Sequence, residues 1–252
     1  MTAYERVQQA RAKGRYTAFD YINNLFTSFI EMHCDRRYAD DKAIVAGVGF
    51  FGDTPVTVIG IEKGNTVKER SARNSGSAHP EGYRKSLRQM KLAEKFNRPV
   101  ICFVDTPGAF CGIGAEERGQ SQAIAENLME MMALKVPIIS ILIGEGGSGG
   151  ALALSAANQV WMLENAVYSV ISPEGCASIL WKDSSKVKEA SKCLKLTAED
   201  LLAMNVIEKI ICEDKNIFET LRSELNKALD SYKNERPESI AKSRYNRFRD
   251  IG

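Results

Sequence analysis

The sequence is poor in histidine: His33 and His79 are the only two in 252 residues. Catalysis built on an imidazole base therefore has few candidates. There is no surplus of one charge sign, because 34 Lys and Arg against 32 Asp and Glu leave a net charge of +2. That balance gives no electrostatic footprint for nucleic acid as the main partner. Long apolar runs are missing too. The most apolar windows cover about ten residues and are broken by Pro or Gly, short of the roughly 20 that span a bilayer. No membrane partner is expected. The six cysteines, at 34, 102, 111, 176, 193 and 212, include no C-x-x-C pair. A zinc ribbon or thioredoxin-like motif is excluded, and no metal site is expected on this chain. Only 7 prolines and 19 glycines accompany an apolar fraction of 44%, which disfavours low complexity and disorder.

What is present suits a globular domain with a sizeable core. The start, MTAYERVQQARAKG, is polar and charged, without the apolar centre of a secretory signal. The expectation is a cytoplasmic protein with reduced thiols.

Thr17 and Asp20 have capping-box spacing and predict a helix over 17–33. Two β-rich runs, 43–51 and 56–61, flank Gly52-Asp53 and read as a hairpin. Beyond them the rhythm alternates. A helix near 81–96 precedes a strand at 100–105. A helix near 115–134, with Ile124, Leu128 and Met132 on one face, precedes a strand at 138–143. Further strand-like runs lie at 159–163, 167–171 and 206–211, with helices closing the chain. Such alternation predicts an α/β fold with largely parallel pairing, to which the first sixty residues add a cap.

Sites in these folds gather at the carboxyl ends of strands. Two segments stand there: D-T-P-G-A-F-C-G-I-G (105–114) and G-E-G-G-S-G-G-A (144–151). The second fits three motifs in form. Gly144-x-Gly146-x-x-Gly149 with Glu164 matches a dinucleotide fingerprint, but the helix that follows is short and the motif sits mid-chain. Gly146-x-Ser148-x-Gly150 matches a nucleophile elbow, which needs a later histidine. Both histidines precede Ser148, leaving only His79 in an unusual chain order. A phosphate-binding P-loop needs Lys and Ser/Thr where Ala151 and Leu152 stand. The remaining functional reading is the backbone itself. A strand–glycine loop–helix unit offers free N–H groups to a developing oxyanion. The bland alternative is that the glycines only permit close packing.

The residues 105–121, DTPGAFCGIGAEERGQS, together with GEGGSGGALAL at 144–154 and YSVISPEGCASILWK at 168–182, closely resemble the alpha subunit of bacterial acetyl-CoA carboxylase carboxyltransferase. YADDKAIVAG (38–47), HPEGYRK (79–85) and RYNRF (244–248) extend the resemblance over nearly the whole chain. It implies a crotonase-like fold of repeated β-β-α units, with an N-terminal helical segment at 1–40, a core at 41–212 and C-terminal helices at 213–252. It implies a partner beta chain carrying a four-cysteine zinc ribbon and binding acetyl-CoA, in an alpha2beta2 heterotetramer. It also implies biotin as carboxybiotin on a biotin carboxyl carrier protein, with biotin carboxylase in the larger complex. The implied reaction carboxylates acetyl-CoA to malonyl-CoA, the first committed step of fatty acid synthesis, and uses no protein histidine. Carried onto this chain, the resemblance makes the backbone N–H groups of Gly149, Gly150 and Ala151 the oxyanion hole for the biotin ureido oxygen. Gly108, Ala109, Phe110, Gly112, Gly114, Gly146 and Gly147 would line the same pocket. The pattern departs at Cys111, where the family usually has proline.

A stand-alone crotonase-type hydratase or decarboxylase is the alternative. A hydratase would use Glu174 as one of two acids, but the second position holds Leu152, which transfers no proton. Lys63, Lys68, Arg70 and Arg73 read as a solvated basic loop or a phosphate contact, and 242–249 as a basic interface helix.

Overall fold

The structure, a computed structural model, describes residues 1–251; Gly252, the last residue of the expected C-terminal helical segment, lies outside the described residues. Two short helices open the chain, α1 (Ala3–Ala10) and α2 (Ala18–Leu25). Each starts on a threonine cap: Thr2 accepts from the Glu5 N–H, and the Thr17 N–H donates to the Asp20 carboxylate at 2.7 Å. The predicted helix over 17–33 is corrected here, because α2 stops at Leu25 and β1 (Thr27–Glu31) follows. The β-branched and aromatic residues Thr27, Phe29 and Ile30 favour an extended chain, and a neighbouring strand is there to pair with them.

The hairpin forms as expected, β2 (Ile44–Phe51) antiparallel to β3 (Thr54–Ile61). Next come α3 (Val67–Ala72), α4 (Pro80–Lys95), β4 (Val100–Thr106), α5 (Ile113–Glu117) and α6 (Gln120–Ala133). The single helix predicted near 115–134 is two, because Gly119 takes a left-handed φ of 82° and breaks it. Then follow β5 (Ile138–Gly147), α7 (Ser148–Leu152), β6 (Gln159–Leu163), β7 (Val167–Ser169) and α8 (Pro173–Trp181). The chain ends in α9 (Val187–Cys193), α10 (Ala198–Ala203), β8 (Lys209–Ile211), α11 (Ile217–Tyr232) and α12 (Pro237–Arg249).

All strands belong to one sheet in the order β1-β2-β3-β4-β5-β6-β8, with β7 paired to the far end of β5. Pairing is antiparallel from β1 to β3 and parallel from there on. The first sixty residues are therefore not a cap: they build one edge of the sheet. Register sorts the two faces. Ile44 pairs with Ile61 and Val45 with Gly60, so neighbours alternate. A side chain at Gly60 would meet Ala18 of α2, whereas Ile44 abuts Gly82 of α4. Helices thus cover both faces, and all seven residues of β4 are buried between them. That double cover explains the near-continuous apolar strands at 100–104 and 138–143. Cys102 sits inside this layer, and burial pushes its thiol up to about 12.

The basic C-terminal stretch is helical as expected and lies in α12. Arg244 is wholly buried, and Arg247 pairs with Glu208. One face of α12 thus docks on its own core, while Lys242, Tyr245 and Arg249 stay exposed.

Candidate active site

The ends of the parallel strands β4 and β5 bring the two singled-out segments together. Thr106 caps the first loop: its hydroxyl accepts from the Gly108 N–H at 3.0 Å and donates to the Gly108 carbonyl at 2.9 Å. The Phe110 N–H donates to the Ala78 carbonyl at 3.0 Å. Gln120 clamps both carbonyls from below, donating to Ala78 O at 2.8 Å and Phe110 O at 2.9 Å. The Phe110 ring stacks on His79 with centroids 4.1 Å apart. Between these anchored neighbours, the Ala109 N–H has no hydrogen-bond partner among the described residues.

The second loop turns at Ser148, which adopts a left-handed φ of 50° at the junction of β5 and α7. A non-glycine residue there stores strain of roughly 1–3 kcal/mol, the kind that clusters at functional sites. The N–H groups of the first turn that follows have no intrahelical acceptor. Glycine is needed because the loops touch. A Cβ on Gly147 would overlap the Pro107 carbonyl, and one on Gly150 would lie 2.6 Å from Ala109 N and 2.9 Å from Gly108 C. Gly146 is closed off by Leu142 and Tyr168, whereas Gly149 has ordinary space beside Ile124.

The structure thus brings Gly108 and Ala109 against Gly147 and Gly150, with Gly149 and Ala151 in the same short helix. Gly112 and Gly114 are placed apart: the nearest neighbours of their missing side chains are the Phe110 ring and Arg118. Beside Ser148 and Gly149 opens a mainly apolar cavity of about 490 Å3, lined also by Leu152, Tyr168, Val170 and Met204. Ile179, Leu180 and Trp181 at the end of α8 are exposed, a run of apolar surface that suits a partner.

Sequence reasoning missed the groups beneath the loops. Tyr83 of α4 is fully buried, and its hydroxyl has no partner, although a Cβ on Gly150 would come within 2.8 Å of it. An orphaned buried hydroxyl costs stability. Tyr83→Phe is therefore expected to raise stability by about 1 kcal/mol, measured by thermal unfolding; a loss of stability would mean the hydroxyl is satisfied after all. Lys63, read from sequence as part of a solvated loop or a phosphate contact, is half-buried, 2.5 Å from Asp105 Oδ1 and 3.4 Å from Glu145 Oε2. Arg11 pairs with the other Glu145 oxygen at 2.8 Å and with Glu174 at 2.7 Å. Burial pushes the Asp105 carboxyl above the usual range, with Lys63 opposing it. The hydrogen bond from Arg11 holds Glu174 below the usual range, so it stays a carboxylate. One sign was readable in advance: Asp105 stands at a strand's carboxyl end.

The titratable group nearest the point where Gly108–Ala109 meets Gly147–Gly150 is the Tyr83 hydroxyl, which burial holds in its neutral form. No carboxylate or imidazole adjoins Gly147 or Gly150 there, so amide dipoles dominate. Among the described residues, no helix is long and apolar enough to cross a membrane.

Comparison with known proteins gives the family. Residues 1–252 match the family described as acetyl co-enzyme A carboxylase carboxyltransferase-like. The chain is 61% identical to the acetyl-coenzyme A carboxylase carboxyl transferase subunit alpha of Ruminiclostridium cellulolyticum, covering 100% of this chain and 98% of that one. It is 54% identical to the subunits beta/alpha protein of Natranaerobius thermophilus, covering 100% of this chain and 43% of that longer one. In three dimensions it resembles transcarboxylase 12S, with a TM-score of 0.75 at 19% identity, over 90% of this chain and 43% of that chain. This last likeness bears on the fold alone, and it agrees with the crotonase-like α/β architecture expected from the sequence. By family match, full-length identity and fold together, the chain belongs to the alpha subunits of acetyl-CoA carboxylase carboxyltransferase.

Proposed function

We propose that this chain works as one half of a split active site, moving a carboxyl group from carboxybiotin on a carrier protein to acetyl-CoA to give malonyl-CoA. The observation that carries the reading is the contact of two loops at strand ends, Gly108–Ala109 against Gly147–Gly150, with an unpartnered Ala109 N–H on one side and the first-turn N–H groups of α7 on the other. Such amides stabilise negative charge without moving a proton. A biotin head group fits the residues present, because the cavity beside Gly149 is apolar along its walls and has Ser148 and amide donors at its edge. Bound there, biotin supplies an activated carboxyl group and a ureido oxygen on which negative charge develops. Gly149, Gly150 and Ala151 hydrogen-bond that oxygen through their N–H groups. Gly108 and Ala109 back the Gly147–Gly150 turn from the side of the first loop, whereas Phe110, Gly112, Gly114 and Gly146 lie outside the lining of that cavity.

The partner is a beta chain that binds acetyl-CoA and carries the zinc ribbon, and the assembly is an alpha2beta2 heterotetramer in the cytoplasm. The carrier protein and biotin carboxylase complete the pathway to malonyl-CoA and fatty acids. The exposed Ile179, Leu180 and Trp181 support a docking role for α8, and the fused beta/alpha relative supports the pairing. A stand-alone hydratase is disfavoured, because Glu174 is locked as a carboxylate on Arg11 and Leu152 supplies no second acid.

The test is co-purification with the zinc-ribbon beta chain, followed by an assay of malonyl-CoA formation from acetyl-CoA and carboxybiotin. The pair is expected to be active and either chain alone inactive. A folded, assembled pair without transfer would refute the reading.

A further inference from the structure

The last stretch of β5 is irregular in a way that the glycine loop depends on. Val104 of β4 pairs with Leu142, but Thr106 pairs with Gly146. Three residues of β5, 143–145, therefore lie opposite the single residue Asp105. A bulge of this kind leaves backbone groups without ladder partners and re-aims the strand. Here side chains satisfy them. Arg15 Nη2 donates to the Ile143 carbonyl at 2.8 Å. The Glu145 N–H donates to Asp105 Oδ1 at 2.8 Å. The Asp105 carboxylate fills the space where a side chain at Gly144 would sit.

Holding a buried carboxylate at that point requires a counter-charge. Lys63, just beyond β3, provides it at 2.5 Å and also reaches Glu145. Arg11 neutralises the other Glu145 oxygen. Three adjacent strand ends are thus tied by one ionic cluster. Two residues beyond Asp105 lies Pro107, whose carbonyl abuts Gly147. Any slip of the bulge moves Gly147–Gly150 relative to Pro107–Ala109.

We infer that Asp105, held by Lys63, is a positioning residue for carboxyl transfer: it locks the β5 bulge so that the two loops present their N–H groups to one oxyanion. This inference rests on the function proposed above. In this role the cluster acts through the backbone of the two loops. A displacement of about 1 Å at a reacting centre costs on the order of 10²-fold in rate.

The test uses the assembled complex with the beta chain. Asp105→Ala is expected to lower kcat by on the order of 10²-fold, with the KM for acetyl-CoA unchanged, because that substrate belongs to the partner. Asp105→Asn keeps an oxygen acceptor for the Glu145 N–H and is expected to recover most of the loss. Lys63→Met removes only the counter-charge and is expected to cost about tenfold, a fraction of the same geometric effect. Assembly is checked by size-exclusion chromatography and thermal melting. The inference is overturned if kcat per assembled complex is unchanged in Asp105→Ala and Lys63→Met, or if only KM moves. Should Asp105→Ala fail to assemble, Lys63→Met decides by the same criterion. An inactive wild-type complex would instead strike at the proposed function.

Discussion

Replacing Gly150 with alanine is expected to lower carboxyl transfer by about 10²–10³-fold, the scale of losing an oxyanion donor. A single methyl group suffices because of what surrounds it. The added Cβ would lie 2.6 Å from Ala109 N, 2.8 Å from the Tyr83 hydroxyl and 2.9 Å from Gly108 C. Two of these atoms are backbone, so no flexible side-chain end can swing aside. The first loop must retreat, and the paired N–H donors separate. Interactions that stabilise charge only in the transition state show up in kcat. The measurement is kcat of the reconstituted complex, with folding checked by circular dichroism. Gly149→Ala is the comparison. Its nearest neighbour to a methyl is Ile124 Cγ2 at 3.6 Å, so the loss there should be smaller. Equal wild-type activity in Gly150→Ala would remove the loop contact from the mechanism.

The largest stability effect is expected at Arg244. Its guanidinium is buried with no carboxylate among its hydrogen-bond partners. Nη1 donates to Met131 O at 2.5 Å and Leu134 O at 2.7 Å, while Nη2 donates to Val136 O at 2.7 Å and Asn158 Oδ1 at 2.6 Å. Nε makes a second bond to Asn158 Oδ1 at 3.1 Å. Burial pushes the guanidinium down to about 10, so it stays charged at neutral pH. The planar fork of donors matches this spread of acceptors, which an ammonium could not. Arg244→Met leaves the carbonyls of Met131, Leu134 and Val136 without donors, whereas Asn158 Oδ1 keeps the Ile138 N–H at 3.1 Å. At the low end of the cost per orphaned group, that amounts to roughly 3 kcal/mol. Urea unfolding should show a lower midpoint with α12 detaching first. A change under 1 kcal/mol would mean that water or relaxation replaces the side chain.

Much of the architecture was legible because it follows local rules. Gly52-Asp53 between β-rich runs produced the hairpin, and Pro80 after His79 opened α4 where the sequence pattern placed a helix. The failures share a cause. Residues 26–31 carry a helix-compatible pattern but are drawn into an edge strand by pairing with β2. Gly119 breaks a helix whose apolar period runs across it. The basic 242–249 stretch was read as an interface helix, with no sign that Arg244 is buried, because that burial depends on carbonyls more than 80 residues away.

The site divides along the same line. The sequence by itself determined that two loops stand at strand ends, that they are rich in glycine and hold no histidine, and which family the chain belongs to. These are properties of order along the chain. Only the tertiary structure decided that Gly108 and Ala109 touch Gly147 and Gly150, while Gly112 and Gly114 stand apart. It alone placed Lys63, Asp105, Glu145 and Arg11 in one ionic cluster beneath the loops. Contacts between residues 40 to 134 positions apart arise from sheet register, and register is set by burial of whole strand faces. No local pattern encodes it.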